Sequence, residues 1–212
     1  MTRANTALRI ALAAAFLALA ATASPARAFD APDLDRLART NACPRCDLSD
    51  AELDGKAFKG ANLEWSDLEK ASLKGADLSG ANLERATFSK ADLTRATLSG
   101  ANLRESFLRK TILNGAKLDG AKLHLAVLRK AELPQADLTG ADLTDAVFVQ
   151  ANLKGAVLKD ANLKGTQFTG AMLCGADLRG PGLTAEQLEL ARGDAQTKLP
   201  SGVKRPKGWN GC

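Results

Sequence analysis

A Leu or Phe side chain recurs at every fifth residue from Leu48 to Leu178, and the residue two positions before it is nearly always Ala or another small residue. The positions in between are mostly polar. A period of five residues matches neither an α-helix nor a β-strand. Five residues advance about 500° around a helix, so the large side chains form no stripe, and an odd step sends alternate ones to opposite faces of a sheet. The pattern therefore predicts a chain that changes direction once in every five residues.

Each group of five predicts one short extended segment. The small residue and the Leu or Phe two positions later share one side of an extended backbone, and the polar residue between them points to the other side. A chain that buries the apolar side and bends after each group closes into a coil around its own Leu side chains. The groups keep their register from 46 to 180 without an insertion or a deletion, which predicts one repeat domain over that range.

Columns of like residues 20 positions apart predict the number of sides of this coil. The clearest columns hold Lys, Asn and Gly: Lys70, Lys90, Lys110 and Lys130; Asn62, Asn82 and Asn102; Gly60, Gly80, Gly100, Gly120 and Gly140. A period of 15 would instead stack Gly with Lys and Glu. We therefore expect four groups in each turn, nearly seven coils between 46 and 180, and a spacing of about 4.8 Å between neighbouring coils.

The repeated unit is Ala, then Asp or Asn, then Leu, followed by two further residues. It occurs literally at several places, including Ala76-Asp77-Leu78, Ala81-Asn82-Leu83, Ala101-Asn102-Leu103 and Ala141-Asp142-Leu143. In this respect the chain resembles the pentapeptide-repeat family. The resemblance implies an all-β fold, a right-handed quadrilateral β-helix, and the handedness rests on the resemblance alone.

The N-terminal end of such a coil exposes unpaired strand groups and requires a cover. We expect the segment 29–45 to supply it and to include the start of the Cys-x-x-Cys motif. Asp30, with Pro32 two residues later, predicts the start of a short helix. Leu34 and Leu37 of that helix are then expected to lie over the first coil.

The C-terminal end is expected to be covered by residues 181–212. The segment from Thr184 to Gln187 has the pattern of a capping box and predicts a helix that continues through Leu188 to Ala191. The remaining tail, which is rich in Gly and Pro, is expected to be irregular.

The first 28 residues have the pattern of a cleavable signal peptide. Arg3 and Arg9 give a basic start, 10–21 is a short apolar run, and Ala26-Arg27-Ala28 predicts cleavage before Phe29. An uncleaved membrane anchor is the alternative, and no other stretch is apolar enough to span a membrane. Cleavage predicts a periplasmic or secreted protein. It also lowers the net charge from +5 to about +2, so the overall charge gives no argument for nucleic-acid binding.

The four Cys residues are expected in an oxidising compartment, where disulfides persist. For Cys43 and Cys46, a structural disulfide that closes the first coil is favoured over a redox pair, half of a zinc site or free thiols. A bond between Cys174 and Cys212 would tie the tail to the last coil, and intermolecular pairing is its rival.

The sequence offers little material for catalysis. His124 is the only histidine, and it occupies an outer position of the repeat, so no convincing set of nucleophile, base and acid can be assembled around it. The glycines follow the five-residue period and form no phosphate-binding loop. We expect no enzymatic activity, no cofactor and no metal site.

One predicted face combines positive charge with apolar side chains. The Lys column is flanked by Arg109 and Arg129, and the outer positions beside it hold Phe107, Val127 and Val147 instead of the usual polar residues. Like charges about 5 Å apart repel by roughly 1 kcal/mol in water. An anionic lipid, an envelope polysaccharide or an acidic protein would relieve that repulsion. The alternative is a solvated wall partly neutralised by Asp67 and Glu69.

The favoured function is therefore that of an exported, non-enzymatic scaffold that binds a protein or an anionic envelope component. Self-association through the coil ends or the apolar strip is a further expectation. The family resemblance suggests an alternative, because some members resemble duplex DNA and bind DNA gyrase, but that role requires an acidic surface and a cytoplasmic location. A third hypothesis, an envelope thiol-disulfide protein, would use Cys43 and Cys46 as accessible thiols.

Overall fold

The computed structural model describes residues 30–212, and the predicted signal peptide lies outside these described residues. The described part contains one α-helix, α1, at Ala31–Thr40, and one 3-10 helix at Glu186–Leu188. Within it, no helix has both the length and the apolar character needed to cross a membrane.

Parallel β-bridges connect the rest of the chain into a ladder. All the bridges except the first begin at the residue before a Leu or Phe, and all except the last join residues 20 positions apart, as in Asn62 to Asn82 and Asn82 to Asn102. This is the repeat length at which the columns of like residues occur in the sequence. The bridges are isolated and do not extend into long strands, because two turn residues follow each bridged segment.

The turn after each bridged segment places the fifth residue of the unit in the left-handed region of backbone conformation. Gly100 has a φ of +66° there, and Lys110 has a φ of +57°. Glycine adopts this conformation without steric cost, whereas a residue with a Cβ is strained in it. The corners of the coil therefore differ in backbone energy according to which residue occupies the fifth position.

The interior of the coil is filled by the predicted Leu, Phe and Ala columns. Most of these side chains have no solvent-exposed surface, and the rings of Phe148 and Phe168 are stacked with their centroids 5.8 Å apart. The buried inner hydroxyls of Ser66, Thr111 and Thr166 donate to carbonyls of the preceding coil, and that of Ser106 donates to the carbonyl of Leu103 in its own coil. These buried hydroxyls are therefore satisfied.

The helix α1 lies over the first coil. Leu37 is buried, Leu34 is partly buried against the core, and Asn41 ends the helix in the left-handed conformation. Asp30 occupies the N-cap position without a side-chain hydrogen bond, and Asp33 instead accepts a bond from the backbone of Asp47. The ladder begins at Ala42, four residues before the first unit of the uninterrupted repeat.

The C-terminal end differs from the sequence prediction in two ways. The predicted helix through Ala191 is only a single 3-10 turn. The Gln187 amide donates to the carbonyls of Leu163 and Thr166, and Arg192 rejoins the ladder by donating its backbone N–H to Ala171. These bonds to the coil replace those that a longer helix would make.

The tail is also more regular than expected. Lys198 bridges to Asp177 after a step of 21 residues, which accommodates one additional residue. The tail therefore continues the ladder before it becomes irregular.

Candidate partner-binding face

The Lys column occupies one corner of the coil. We define the basic face as the side formed by the pentapeptides centred on Leu48, Leu68, Phe88, Leu108, Leu128 and Phe148. The backbone N–H of Lys90 donates to the carbonyl of Arg109 at 2.9 Å, and that of Lys110 donates to Arg129 at 3.1 Å. The structure thus brings Lys70, Lys90, Lys110, Lys130, Arg109 and Arg129 together, one coil apart along a single face.

Neutralisation of this face is confined to its N-terminal half. Glu69 lies 3.2 Å from the ammonium group of Lys90 and 4.0 Å from that of Lys70. Four cations nearer the C-terminal end form no ion pair with any residue of 30–212, and all four are exposed: Arg109, Lys110, Arg129 and Lys130. The positive charge of the face is therefore concentrated in its C-terminal half.

A shallow depression marks the junction between the neutralised half and the unpaired half. It has a volume of about 420 Å³ and is lined by Glu69, Ser89, Lys90, Arg109 and Lys110. Four of the five residues can donate hydrogen bonds from a side chain. Such a lining suits an anionic group of a partner better than an apolar one.

The apolar strip lies on the same face, on the other side of the buried Leu and Phe column. Parallel bridges join Phe107 to Val127 and Val127 to Val147. Phe107 is 46% exposed, and the two Val side chains are half-buried. The predicted strip is therefore continuous, and its most exposed member is its aromatic residue.

Two further exposed apolar residues lie around the neighbouring corner, and sequence reasoning missed them. Trp65 is 48% exposed and Leu125 is 46% exposed. Together with Phe107, Arg85 and Glu105, they line a depression of about 310 Å³. The available signal was a large apolar residue at the fifth position of the unit, where Gly or a polar residue is usual.

Arg85 contacts both of its neighbours in the column at this corner. Its guanidinium lies 4.8 Å from the ring centre of Trp65 and donates two hydrogen bonds to the carboxylate of Glu105, at 2.8 and 3.1 Å. These hydrogen bonds are the main reason that the pKa of Glu105 lies below its ordinary value. Glu105 is therefore held as an anion, and the indole of Trp65 is held in place at the surface.

The two N-terminal Cys residues are buried, and their sulfur atoms lie at disulfide distance, with 5.5 Å between the Cα atoms. The Arg36 guanidinium donates to the sulfurs of both Cys43 and Cys46 and pairs with Asp33 at 3.1 Å. Asp33 and the two sulfurs are close enough together to be considered as metal ligands, but the guanidinium already occupies this cluster. The thiol-disulfide hypothesis requires accessible thiols, and the burial of both residues does not favour it.

The C-terminal Cys residues also lie at disulfide distance, with 6.0 Å between the Cα atoms of Cys174 and Cys212. Trp209 holds the same segment, because its indole N–H donates to the carbonyl of Ala191 at 2.9 Å. The tail is thus positioned against the last coil by an aromatic side chain as well as by the two Cys residues.

His124 lies on the side of the coil that precedes the basic face in the chain. We define this side as the Asn face, formed by the pentapeptides centred on Cys43, Leu63, Leu83, Leu103, Leu123 and Leu143. The His124 Nδ1 atom is 3.1 Å from the carbonyl oxygen of Thr144. The structure therefore places this histidine in a backbone contact between neighbouring coils.

A family model establishes the class of protein. The model for pentapeptide repeats matches the segments 46–85, 76–115, 91–129, 108–145 and 141–180, with eight copies of the repeat. The chain therefore belongs to the pentapeptide-repeat family, whose fold is a right-handed β-helix, and the resemblance seen in the sequence is confirmed.

Several solved structures are similar to this chain. HetL, a pentapeptide repeat protein involved in heterocyst differentiation regulation from the cyanobacterium Nostoc sp. strain PCC 7120, is 30% identical over 80% of this chain and 90% of its own, with a TM-score of 0.38. QnrB1, a plasmid-mediated fluoroquinolone resistance protein, is 20% identical over 76% of this chain and 80% of its own, with a TM-score of 0.42. A pentapeptide repeat protein from the Arabidopsis thaliana thylakoid lumen is 31% identical over 59% of this chain and 79% of its own, with a TM-score of 0.23. Comparison with curated proteins gives no match.

Proposed function

We propose that this protein is an exported, non-catalytic binding rod whose basic face holds an anionic partner, either an acidic protein or an anionic component of the cell envelope. The observation that carries the proposal is the group of four exposed cations that have no ion-pair partner among residues 30–212: Arg109, Lys110, Arg129 and Lys130. The mutual repulsion of these cations is relieved when a polyanion binds along the rod.

The backbone at the Lys corner supports the same proposal. Lys70, Lys90, Lys110 and Lys130 all have φ between +57° and +63°, whereas the two corners that include Gly55 and Gly60 use mostly Gly at the same position of the unit. A residue with a Cβ in this conformation costs roughly 1–3 kcal/mol. Four successive strained residues with the same charge favour a role for that charge outside the fold.

The apolar strip adds a second kind of contact to this face. Phe107 is an exposed aromatic side chain, and aromatic residues are enriched at the centres of protein interfaces. A partner that matches both features would carry an acidic edge beside an apolar edge. Export is supported by the basic start, the short apolar run and the Ala-x-Ala site of the first 28 residues.

Charge reversal tests the basic face. The variant K90E/K110E/K130E reverses three charges of the column, and K154E/K159E/K164E makes the same change in net charge at exposed Lys residues on the other three sides. We expect the first variant to lose binding to envelope extracts and to vesicles that contain about 30% anionic lipid, and the second to retain it. Equal binding by the two variants would show that the column itself is not the site.

Localisation is tested separately. Cell fractionation combined with sequencing of the mature N-terminus is expected to give a periplasmic or secreted protein that starts at Phe29. A cytoplasmic protein that retains residues 1–28 would contradict export and would leave only a cytoplasmic partner for the basic face.

A further inference from the structure

The charges along the Asn face are antisymmetric. If their order along the rod is reversed and every sign is exchanged, the same order of charges results. The fifth-position column of this face is, in order along the rod, Arg45, Trp65, Arg85, Glu105, Leu125 and Asp145. Backbone N–H groups of these residues donate to the next coil, which places them one coil apart, or about 24 Å from end to end. The charges run positive, neutral, positive, negative, neutral, negative.

The neighbouring column on the same face repeats this antisymmetry. Its residues, which each precede a residue of the first column, are Pro44, Glu64, Glu84, Arg104, His124 and Thr144. Acids occupy the N-terminal half of the column, and basic side chains occupy the C-terminal half. The third outward column, Ala42, Asn62, Asn82, Asn102, Lys122 and Asp142, contains three amides, which can donate to or accept from either kind of group.

We propose that the Asn face is an interface between two copies of this chain, packed antiparallel about a two-fold axis. The axis lies in the interface, perpendicular to the rod, between the coils of Arg85 and Glu105. It reverses the order of the coils and leaves each column opposite the same column of the second copy. This juxtaposition matches every charge in the two columns with an opposite charge or a polar group.

The contacts that follow are specific. Arg85 faces Glu105 of the second copy, Arg45 faces Asp145, Glu84 faces Arg104, and Glu64 faces His124. Each contact occurs twice because the interface is isologous. Trp65 faces Leu125 of the second copy, so two of the most exposed apolar side chains of the molecule cover each other. At the centre, the Arg85–Glu105 pair of each chain meets its copy and forms a network of four charges.

Other packings of the same face are penalised by like charges. An antiparallel pair shifted by one coil places Arg85 against Arg85 or Glu105 against Glu105. A parallel pair packed along the fifth-position column places all four charged residues of that column against their own copies. Juxtaposed like charges disfavour an interface, so the order of charges selects one register and one direction.

The two-fold axis also connects this interface to the basic face. Rotation about this axis does not exchange the two long edges of the Asn face. The basic faces of both copies therefore lie on the same side of the dimer. The apolar strips are nearest the seam, because the Phe107 column directly follows the corner occupied by Trp65 and Leu125. The dimer therefore presents one continuous surface with Lys columns along its two outer edges.

Sedimentation of the purified protein tests the interface through charge exchange. The wild type is expected to dimerise, and the dimer is expected to weaken as salt rises from about 50 to 500 mM. R85E and E105R are each expected to weaken dimerisation at least tenfold, because each leaves like charges opposed at the centre. An equimolar mixture of R85E and E105R is expected to form a heterodimer, and the double variant R85E/E105R is expected to recover the homodimer.

Controls separate the interface from the fold and from the basic face. E132R makes the same charge change as E105R on another side of the coil and is expected to dimerise like the wild type. Because R85E and E105R also break an ion pair within the chain, E84R and R104E provide a second exchange that breaks no such ion pair among residues 30–212, and E84R removes only the hydrogen bond that the Asn102 amide donates to Glu84. A wild type that stays monomeric up to about 1 mM, single variants that dimerise like the wild type, or a mixture of variants that fails to pair would each overturn the proposal. None of these outcomes affects the Lys column, so the basic face is tested independently.

Discussion

The indole ring of Trp209 packs directly against the backbone of Gly193. The Cβ that any other residue would place at position 193 overlaps the six-membered ring of the indole. The carbonyl of Gly193 also accepts a hydrogen bond from the backbone of Gly211 at 3.0 Å. Gly193 is thus the point at which the end of the chain is fastened to the last coil.

Substitution at this point is expected to release the tail. Gly193→Ala forces the indole of Trp209 away from the backbone, and such overpacking costs typically about 1–3 kcal/mol. Thermal unfolding and Trp fluorescence would measure the effect. Gly208→Ala is the matched control, because the Cβ of an Ala at position 208 would have open space within 4 Å. Equal stability of the two variants would show that the tail accommodates a methyl group at both places.

Two Phe residues are expected to separate folding from binding. Phe148 is fully buried and stacks on Phe168, so Phe148→Ala should cost about 3–5 kcal/mol. Phe107 is 46% exposed, so Phe107→Ala should change the free energy of unfolding by less than about 0.5 kcal/mol while it weakens capture of an anionic partner. Chemical denaturation measures the first quantity, and the vesicle and envelope assays measure the second. A large loss of stability in Phe107→Ala would place that ring in the fold rather than in a binding surface.

The five-residue period carried most of the information about the fold. A period that alternates large and small apolar residues leaves few ways to bury them, so the inner positions and the 20-residue step could be predicted from the amino-acid sequence alone. The C-terminal cover could not be predicted in this way. The Gln187 side chain bonds to two carbonyls of a coil more than 20 residues earlier in the chain, and nothing in the local capping-box pattern indicates that contact.

Only part of the candidate surface could be predicted from the amino-acid sequence. Phe107 and the Lys column stand out because they depart from the residues usual at their own positions. Trp65 and Leu125 also depart from theirs, but they belong to a different position of the unit and to the preceding side of the coil. They lie beside Phe107 because the two sides of the coil meet at this corner. The structure shows this proximity, whereas the alignment of repeats in the sequence does not.

Acid is expected to weaken the C-terminal end of the rod. The pKa of the Asp177 carboxyl lies below its ordinary 3.8, mainly because Arg179 donates hydrogen bonds to it, at 2.8 and 2.6 Å. A group whose pKa is lower in the folded state contributes stability above its ordinary pKa and loses that contribution as the pH falls through the lowered value. The pKa of Asp194 is also lowered, first by the backbone N–H of Gly175. We therefore expect the melting temperature to fall below about pH 4.

The variant Asp177→Asn tests this assignment. It removes the charge that Arg179 holds, and it is expected to cost up to about 1 kcal/mol at neutral pH, because the Arg179 side chain is half exposed. The variant should also show a smaller fall in melting temperature between pH 5 and pH 2 than the wild type. Asp160→Asn is a control at an exposed carboxylate that lies 3.9 Å from the ammonium group of Lys159. If both variants gave the wild-type acid profile, the loss of stability would have to come from other carboxylates.

The four Lys residues of the Lys corner are expected to lower the free energy of unfolding relative to Gly while they add positive charge. Lys110 has a φ of +57°, and the left-handed backbone costs a residue with a Cβ roughly 1–3 kcal/mol. Gly avoids that strain but loses about 0.4–1 kcal/mol through its greater freedom in the unfolded chain. Lys110→Gly should therefore be more stable than Lys110→Ala by about 1 kcal/mol, although both variants lose the same charge. Both should bind anionic vesicles equally weakly, because binding depends on the ammonium group and not on the backbone. If Lys110→Gly were no more stable than Lys110→Ala, the backbone of this corner would not be strained. The four Lys residues would then give no evidence that stability has been lost in favour of binding.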